Sequence, residues 1–152
     1  MPDIESLKPS SVLFWLAALL GVGIIVIGVR FLFVPLSAAR DFGAPVYGSS
    51  TFAYLWAKGS RDVVLGLLMI SLLGLGVRRV VLATFIFVAT LVPIADFVNV
   101  YINFHSARLY ALMVHGGTAI FMLILASLIL RGSAAAKPNR RVTIETPNRR
   151  TA

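Results

Sequence analysis

The chain has no cysteine. Disulfides, thiolate nucleophiles, iron–sulfur clusters and cysteine zinc sites are therefore excluded. Charge is scarce too: 13% of residues are Asp, Glu, Lys or Arg, against 59% apolar. A soluble domain of 152 residues cannot hide so much apolar surface, so the composition points to an integral membrane protein. The length allows one compact domain. There is no serine elbow motif, no phosphate loop and no dinucleotide fingerprint; the glycines fall inside apolar runs instead. His105, His115 and Asp96 lack any metal-ligand spacing, so neither metal nor cofactor is expected.

What the chain does have is four long apolar runs: residues 11–36, 61–77, 80–101 and 109–130. A helix needs about 20 residues to cross roughly 30 Å of hydrocarbon. Three runs meet this directly. The second has too few uncharged residues and must start earlier, near Ala57, which draws Arg61 and Asp62 below the interface. The expected fold is all-α, a four-helix transmembrane bundle with helices at about 11–35, 57–77, 80–103 and 108–130. Residues 1–10 form an N-terminal segment, 11–131 the membrane domain and 132–152 a basic tail. The first run is too long for a signal peptide, and only Lys8 precedes it.

Lysine and arginine set the orientation. Four spans put both termini and the turn between spans two and three on one side. That side carries Lys8, Arg78, Arg79, Arg131, Lys137, Arg140, Arg141, Arg149 and Arg150. The other carries Arg30, Arg40, Lys58, Arg61 and Arg108. The positive-inside rule then places both termini in the cytoplasm, in a bacterial inner membrane or a eukaryotic endomembrane. Much of the net charge of +8 lies in the tail, which repeats "PNRR" and is expected to be disordered. Such clusters can meet anionic lipid, but the topology rule alone accounts for them. They lack interleaved aromatics, so nucleic acid is not an expected partner. Residues 37–58 read as a long loop with turn signals at Gly43, Pro45 and Gly48. Its end, "TFAYLWAK", reads as an aromatic belt at the interface or an outward extension of span two.

Helical rise places five ionisable groups from four helices in one layer. Asp96 falls roughly 8 Å below the outer boundary, His115 roughly 9 Å, and Arg30, Arg61 and Asp62 roughly 6 to 8 Å. Asp96, Asn99 and Asn103 share one helical stripe, with Pro93 a turn before it. Arg108, His115 and Thr118 share another. Charges facing lipid are expensive, so both stripes should face inward. Arg30 and Arg61 balance Asp62 and Asp96, and Arg30–Asp96 is the expected pair. Ala17, Gly21, Gly28, Gly66, Gly74, Gly116 and Gly117 would let the helices approach closely.

The stretches "FVPLSAARDFGAP", "KGSRDVVLGLL", "PIADFVNVY" and "ALMVHGG" resemble an uncharacterised family of small four-helix membrane proteins of bacteria and fungi, distantly similar to DoxX-type proteins. The resemblance spans roughly 12–130. Its recurring marks are Phe42-Gly43, Lys58-Gly59, Arg61-Asp62, Gly66, Asp96 and His115-Gly116. It assigns no activity, but some relatives are associated with small-molecule biosynthesis. Three functions fit the polar layer. In the first, it binds a small lipophilic molecule and acts on it by acid–base chemistry, with Asp96 and His115 as catalytic groups. Arg30, Arg61, Asp62, Asn99, Asn103 and Arg108 would then form a ligand-binding or structural cluster. In the second, the layer is glue in a non-enzymatic accessory subunit. A small carrier, working as a homo-oligomer, is the third.

Overall fold

The structure, a computed structural model, describes residues 6–46, 51–104 and 109–135. These form six helices: α1 (Val12–Phe33), α2 (Pro35–Phe42), α3 (Phe52–Gly74), α4 (Arg79–Ala89), α5 (Leu91–Phe104) and α6 (Leu109–Ala135). No named strand occurs among the described residues; Ser6 and Arg78 form an isolated bridge.

Three stretches are long and apolar enough to cross a membrane: Val12–Phe33, Arg79–Asn103 and Leu109–Gly132. The exposed side chains agree. One stripe of α1, Val12, Trp15, Leu19, Val22, Val26 and Phe33, is apolar and open; water would not tolerate it, and lipid does. The chain is a membrane-embedded protein. At 23 residues α3 is long enough as well, but it carries Lys58, Arg61 and Asp62.

Local chemistry sets the ends. The Ser11 hydroxyl caps α1 by accepting from the Leu13 N–H at 3.3 Å. Val34 breaks the helix (φ −133°, ψ 58°) because the following Pro35 disfavours helical geometry before it and suits the first position of α2. Gly43 ends α2 at φ 94°. The Ala44 and Gly43 amides then reach back to the Ala39 and Arg40 carbonyls at 3.0 and 3.1 Å.

α1 and α3 touch backbone to backbone. A Cβ at Gly28 would lie 2.6 Å from the Gly59 carbonyl oxygen, and one at Gly66 2.6 Å from that of Gly21. The expected small-residue contacts thus hold for Gly21, Gly28 and Gly66, with Gly59 added. Gly74 and Gly117 meet nothing within 4 Å.

The expected 37–58 loop is largely helical. α2 and the first turns of α3 occupy much of it, so span two begins at Phe52 rather than near Ala57 and stops at Gly74 rather than 77. "TFAYLWAK" extends α3 outward, with Tyr54 and Trp56 exposed and Leu55 buried. The third span divides into α4 and α5 at Thr90, which keeps helical dihedrals (φ −61°, ψ −23°) and its N–H bond to the Ile86 carbonyl at 3.0 Å. Pro93 removes a backbone donor and crowds the Ala89 carbonyl one turn back. The Thr90 hydroxyl donates to the Ile86 carbonyl at 2.8 Å, which further bends a helix. α6 runs on to Ala135 rather than ending near 130; residues 136–152 lie outside those described.

The core divides along the bundle axis. At the end where Ser6 pairs with Arg78, it is apolar: Met69, Leu82, Ile86, Met122, Leu125 and Ile129 are fully buried. Arg79 donates to the Ser6 carbonyl at 3.3 Å and packs beside Gly132. The N-terminal approach, the α3–α4 turn and the end of α6 therefore share one end. Toward the other end the core holds charged and aromatic side chains.

Candidate functional site

At that other end, α3 presents Lys58 and Asp62 one turn apart. Lys58 Nζ lies 3.0 Å from Asp62 Oδ2 and 3.2 Å from Asp96 Oδ2 on α5. It sits between two rings, 4.4 Å from the Phe42 centroid and 4.9 Å from that of Phe31. Arg61 donates through Nε and Nη2 to Asp62 Oδ1 at 3.0 and 2.9 Å. Its Nη2 is 3.9 Å from Asp96 Oδ1. The Lys58, Asp62 and Asp96 side chains are 9%, 7% and 16% exposed, whereas Arg61 is 43% exposed. Two cations thus face two carboxylates, and the cluster is formally neutral. Neutrality and multiple hydrogen bonds make such burial tolerable. No buried side-chain nitrogen or oxygen among the described residues lacks a partner.

Arg30 is not part of this cluster. It pairs instead with Asp41 on α2, and both are about half exposed. The expected Arg30–Asp96 pair is corrected to Lys58–Asp96. Depth placed Arg30 in the right layer, but α2 folds back and offers it a closer carboxylate. Lys58 was missed because it was read as the end of a loop. Its i,i+4 spacing to Asp62 was the available signal.

His115 on α6 places Nε2 3.0 Å from the Phe42 carbonyl oxygen. A carbonyl only accepts, so the Nε2–H donates in this contact, and Nδ1 is the ring nitrogen left over. The His115 and Phe42 rings lie 4.5 Å apart. Asn103 Nδ2 donates to the Asn99 carbonyl and to Asn99 Oδ1, at 3.0 and 2.8 Å. Arg108 and His105 lie outside the described residues. Among the described residues, no three His, Asp or Glu side chains gather as a metal site.

Three cavities surround these groups. An inner one of about 100 Å³ is bounded by Ile24, Ile27, Leu65, Val92, Pro93 and Met122, and by Lys58, Asp62, Asp96, His115 and Thr118. A second, about 630 Å³, lies among α1, α2 and α6, between Arg30, Arg40, Tyr110, Val114 and His115. A third, about 550 Å³, lies among α2, α3 and α5, bounded by Tyr54, Lys58, Arg61, Asp96, Asn99 and Asn103. Phe42 lines all three. It is the lining residue common to the three, while Ile27, Val114 and His115 border the inner and the 630 Å³ cavity, and Lys58 and Asp96 the inner and the 550 Å³ one.

The family model described as "Domain of unknown function (DUF4267)" matches residues 21–129. The chain belongs to this family. The DUF4267 domain contains the whole ion cluster, Phe42, His115 and every residue lining the three cavities. It leaves out the start of α1 and the tail. Comparison with curated proteins gives no match, and comparison with solved structures gives none.

Proposed function

We propose that the protein is a four-span membrane bundle that binds a small amphiphilic molecule in the cavities around Phe42. In this reading α3 is the fourth span. Its charges fold onto one another and onto Asp96, which lowers the cost of carrying them through hydrocarbon. The shared end of residue 6, Arg79 and Gly132 is the cytoplasmic one, by the excess of lysine and arginine there. The cavities then lie toward the non-cytoplasmic face.

The observation that carries the reading is the position of Phe42. One aromatic side chain touches an apolar inner cavity and two larger outer ones, whose volumes suit small ligands. Polar groups converge on the same point. A ligand entering there would meet apolar walls, a neutral ion cluster and one imidazole.

The geometry also divides the roles expected of Asp96 and His115. Asp96 is held by Lys58 and, at longer range, by Arg61. It acts as a fixed charge rather than as a free base. His115 has Nδ1 available and is the group able to take a proton from a bound molecule. An isomerisation or cyclisation of a lipophilic substrate, in small-molecule biosynthesis, is the chemistry this supports. The complete pairing of the four charges favours a second reading, in which the cluster only locks helix register in an accessory subunit.

Purification in lipid nanodiscs, followed by mass spectrometry of co-extracted molecules, separates the two. Binding predicts a specific amphiphile on the native chain, lost from a folded Asp96→Asn variant. Bulk lipid on both chains, with the variant poorly folded, would support the structural reading and overturn the first.

A further inference from the structure

We infer that the 630 Å³ cavity among α1, α2 and α6 is the seat of a single-chain amphiphile with an anionic headgroup, a carboxylate or phosphate, held by Arg40 and Arg30. The inference rests on the amphiphile-binding reading and names the ligand class.

Charge balance distinguishes this cavity from its neighbours. The ion cluster beside the other two is closed: Lys58 and Arg61 are matched by Asp62 and Asp96. The 630 Å³ cavity is bounded by Arg30, Arg40 and Asp41, a formal charge of +1 by two cations against one carboxylate. Asp41 is taken by Arg30. Arg40 makes no ion pair among the described residues. An exposed pair such as Arg30–Asp41 is weak, so Arg30 can share its donors with a second anion. The planar guanidinium suits a carboxylate or phosphate in two-point contact.

The opposite wall is apolar. Ile27 and Val114, 48% and 43% exposed, border both this cavity and the inner one. In a bilayer their exposed sides face lipid. A tail lying along them would run from the arginines toward hydrocarbon, passing His115, which lines the same wall. A carboxylate head would bring the cavity to neutrality, and a phosphate monoester, at about −1.5 to −2, would take it to a small negative charge. A cationic head would add to its charge, and a neutral head would gain nothing from it.

The test uses the full chain in phosphatidylcholine nanodiscs. Four probes share one tail: dodecanoate, dodecyl phosphate, dodecanol and dodecyltrimethylammonium. Native mass spectrometry counts each on the protein, with empty nanodiscs correcting for partition. The expected result is a saturable one-to-one complex with dodecanoate or dodecyl phosphate, tighter than dodecanol by on the order of tenfold. Arg40→Gln should remove that preference, while Arg40→Lys should keep part of it. Gly74→Ala, outside all three cavities and with open space around its new methyl, should leave it intact.

Equal binding of all four probes would overturn the headgroup assignment and leave the amphiphile reading standing. Binding of none would overturn both. An anionic preference that survives in the Arg30→Gln/Arg40→Gln double variant would overturn the seat. Repeating the titration in phosphatidylglycerol nanodiscs tests the source. Loss of dodecanoate binding there would mean that a two-chain bilayer lipid fills the site, which overturns a single-chain ligand. Thermal unfolding of each variant, matched to the native chain, guards against simple misfolding.

Discussion

The two ends of the bundle are built from different materials. Around Met69, Leu82, Ile86, Met122, Leu125 and Ile129 the core is apolar and fully buried. Around Lys58, Asp62, Asp96 and His115 it is charged, aromatic and hollow, with the three cavities gathered there. A bundle that needed only to hold together could have continued the first pattern to its other end. In lipid, helix association draws on close packing and interhelical hydrogen bonds. The apolar end uses the first. The polar end replaces part of that packing with ion pairs and empty volume.

The contrast can be broken most severely at Lys58. Lys58→Met leaves Asp62 and Asp96 with Arg61 alone, and Asp96 is 3.9 Å from it. Breaking a buried pair costs about 3–5 kcal/mol, to be read as thermal unfolding in detergent or nanodiscs. A change under about 1 kcal/mol would mean that the cluster is wetter and weaker than its burial implies. Next comes the apolar end. Leu125→Ala should cost about 2–4 kcal/mol by the cavity it leaves, with ligand content unchanged. Smaller again is Gly28→Ala, whose new methyl would meet the Gly59 carbonyl. The overpacking should cost about 1–3 kcal/mol, visible as a lowered unfolding temperature. Smallest is Arg30→Gln, which removes an exposed pair and should cost under about 1 kcal/mol.

Much of the apolar end was legible in the sequence. Long apolar runs announced the membrane, and small residues on α1 and α3 marked where two backbones meet. Hydropathy is a local property, so it survives ignorance of the tertiary fold. The polar end was only half legible. Helical rise placed Arg61, Asp62, Asp96 and His115 in one layer, and they do surround one set of cavities. It could not choose partners, because partner choice depends on direction around each helix and on elements that were not recognised. α2 was hidden: Ser37, Arg40 and Asp41 dilute its hydropathy, Pro35 was absorbed into the end of the first span, and Gly43 read as a loop signal although here it stops a helix. With α2 unseen, Arg30 lost its true partner Asp41, and Phe42 had no visible role. With the span started near Ala57, Lys58 stood in its first turn and was counted for orientation but left out of the polar layer.

The difference between the two ends can be tested directly on ligand content. Phe42→Trp would push a larger ring into the cavities while keeping an aromatic face for Lys58. Leu125→Ala would weaken the apolar end without touching them. Native mass spectrometry of both variants and the native chain, released from nanodiscs, is the measurement to make. A bound amphiphile present on the native chain and on Leu125→Ala, but absent from a folded Phe42→Trp, is the predicted result. Equal retention on both variants, or no bound molecule on any of the three chains, would contradict a binding site at Phe42 and leave the polar end as structural.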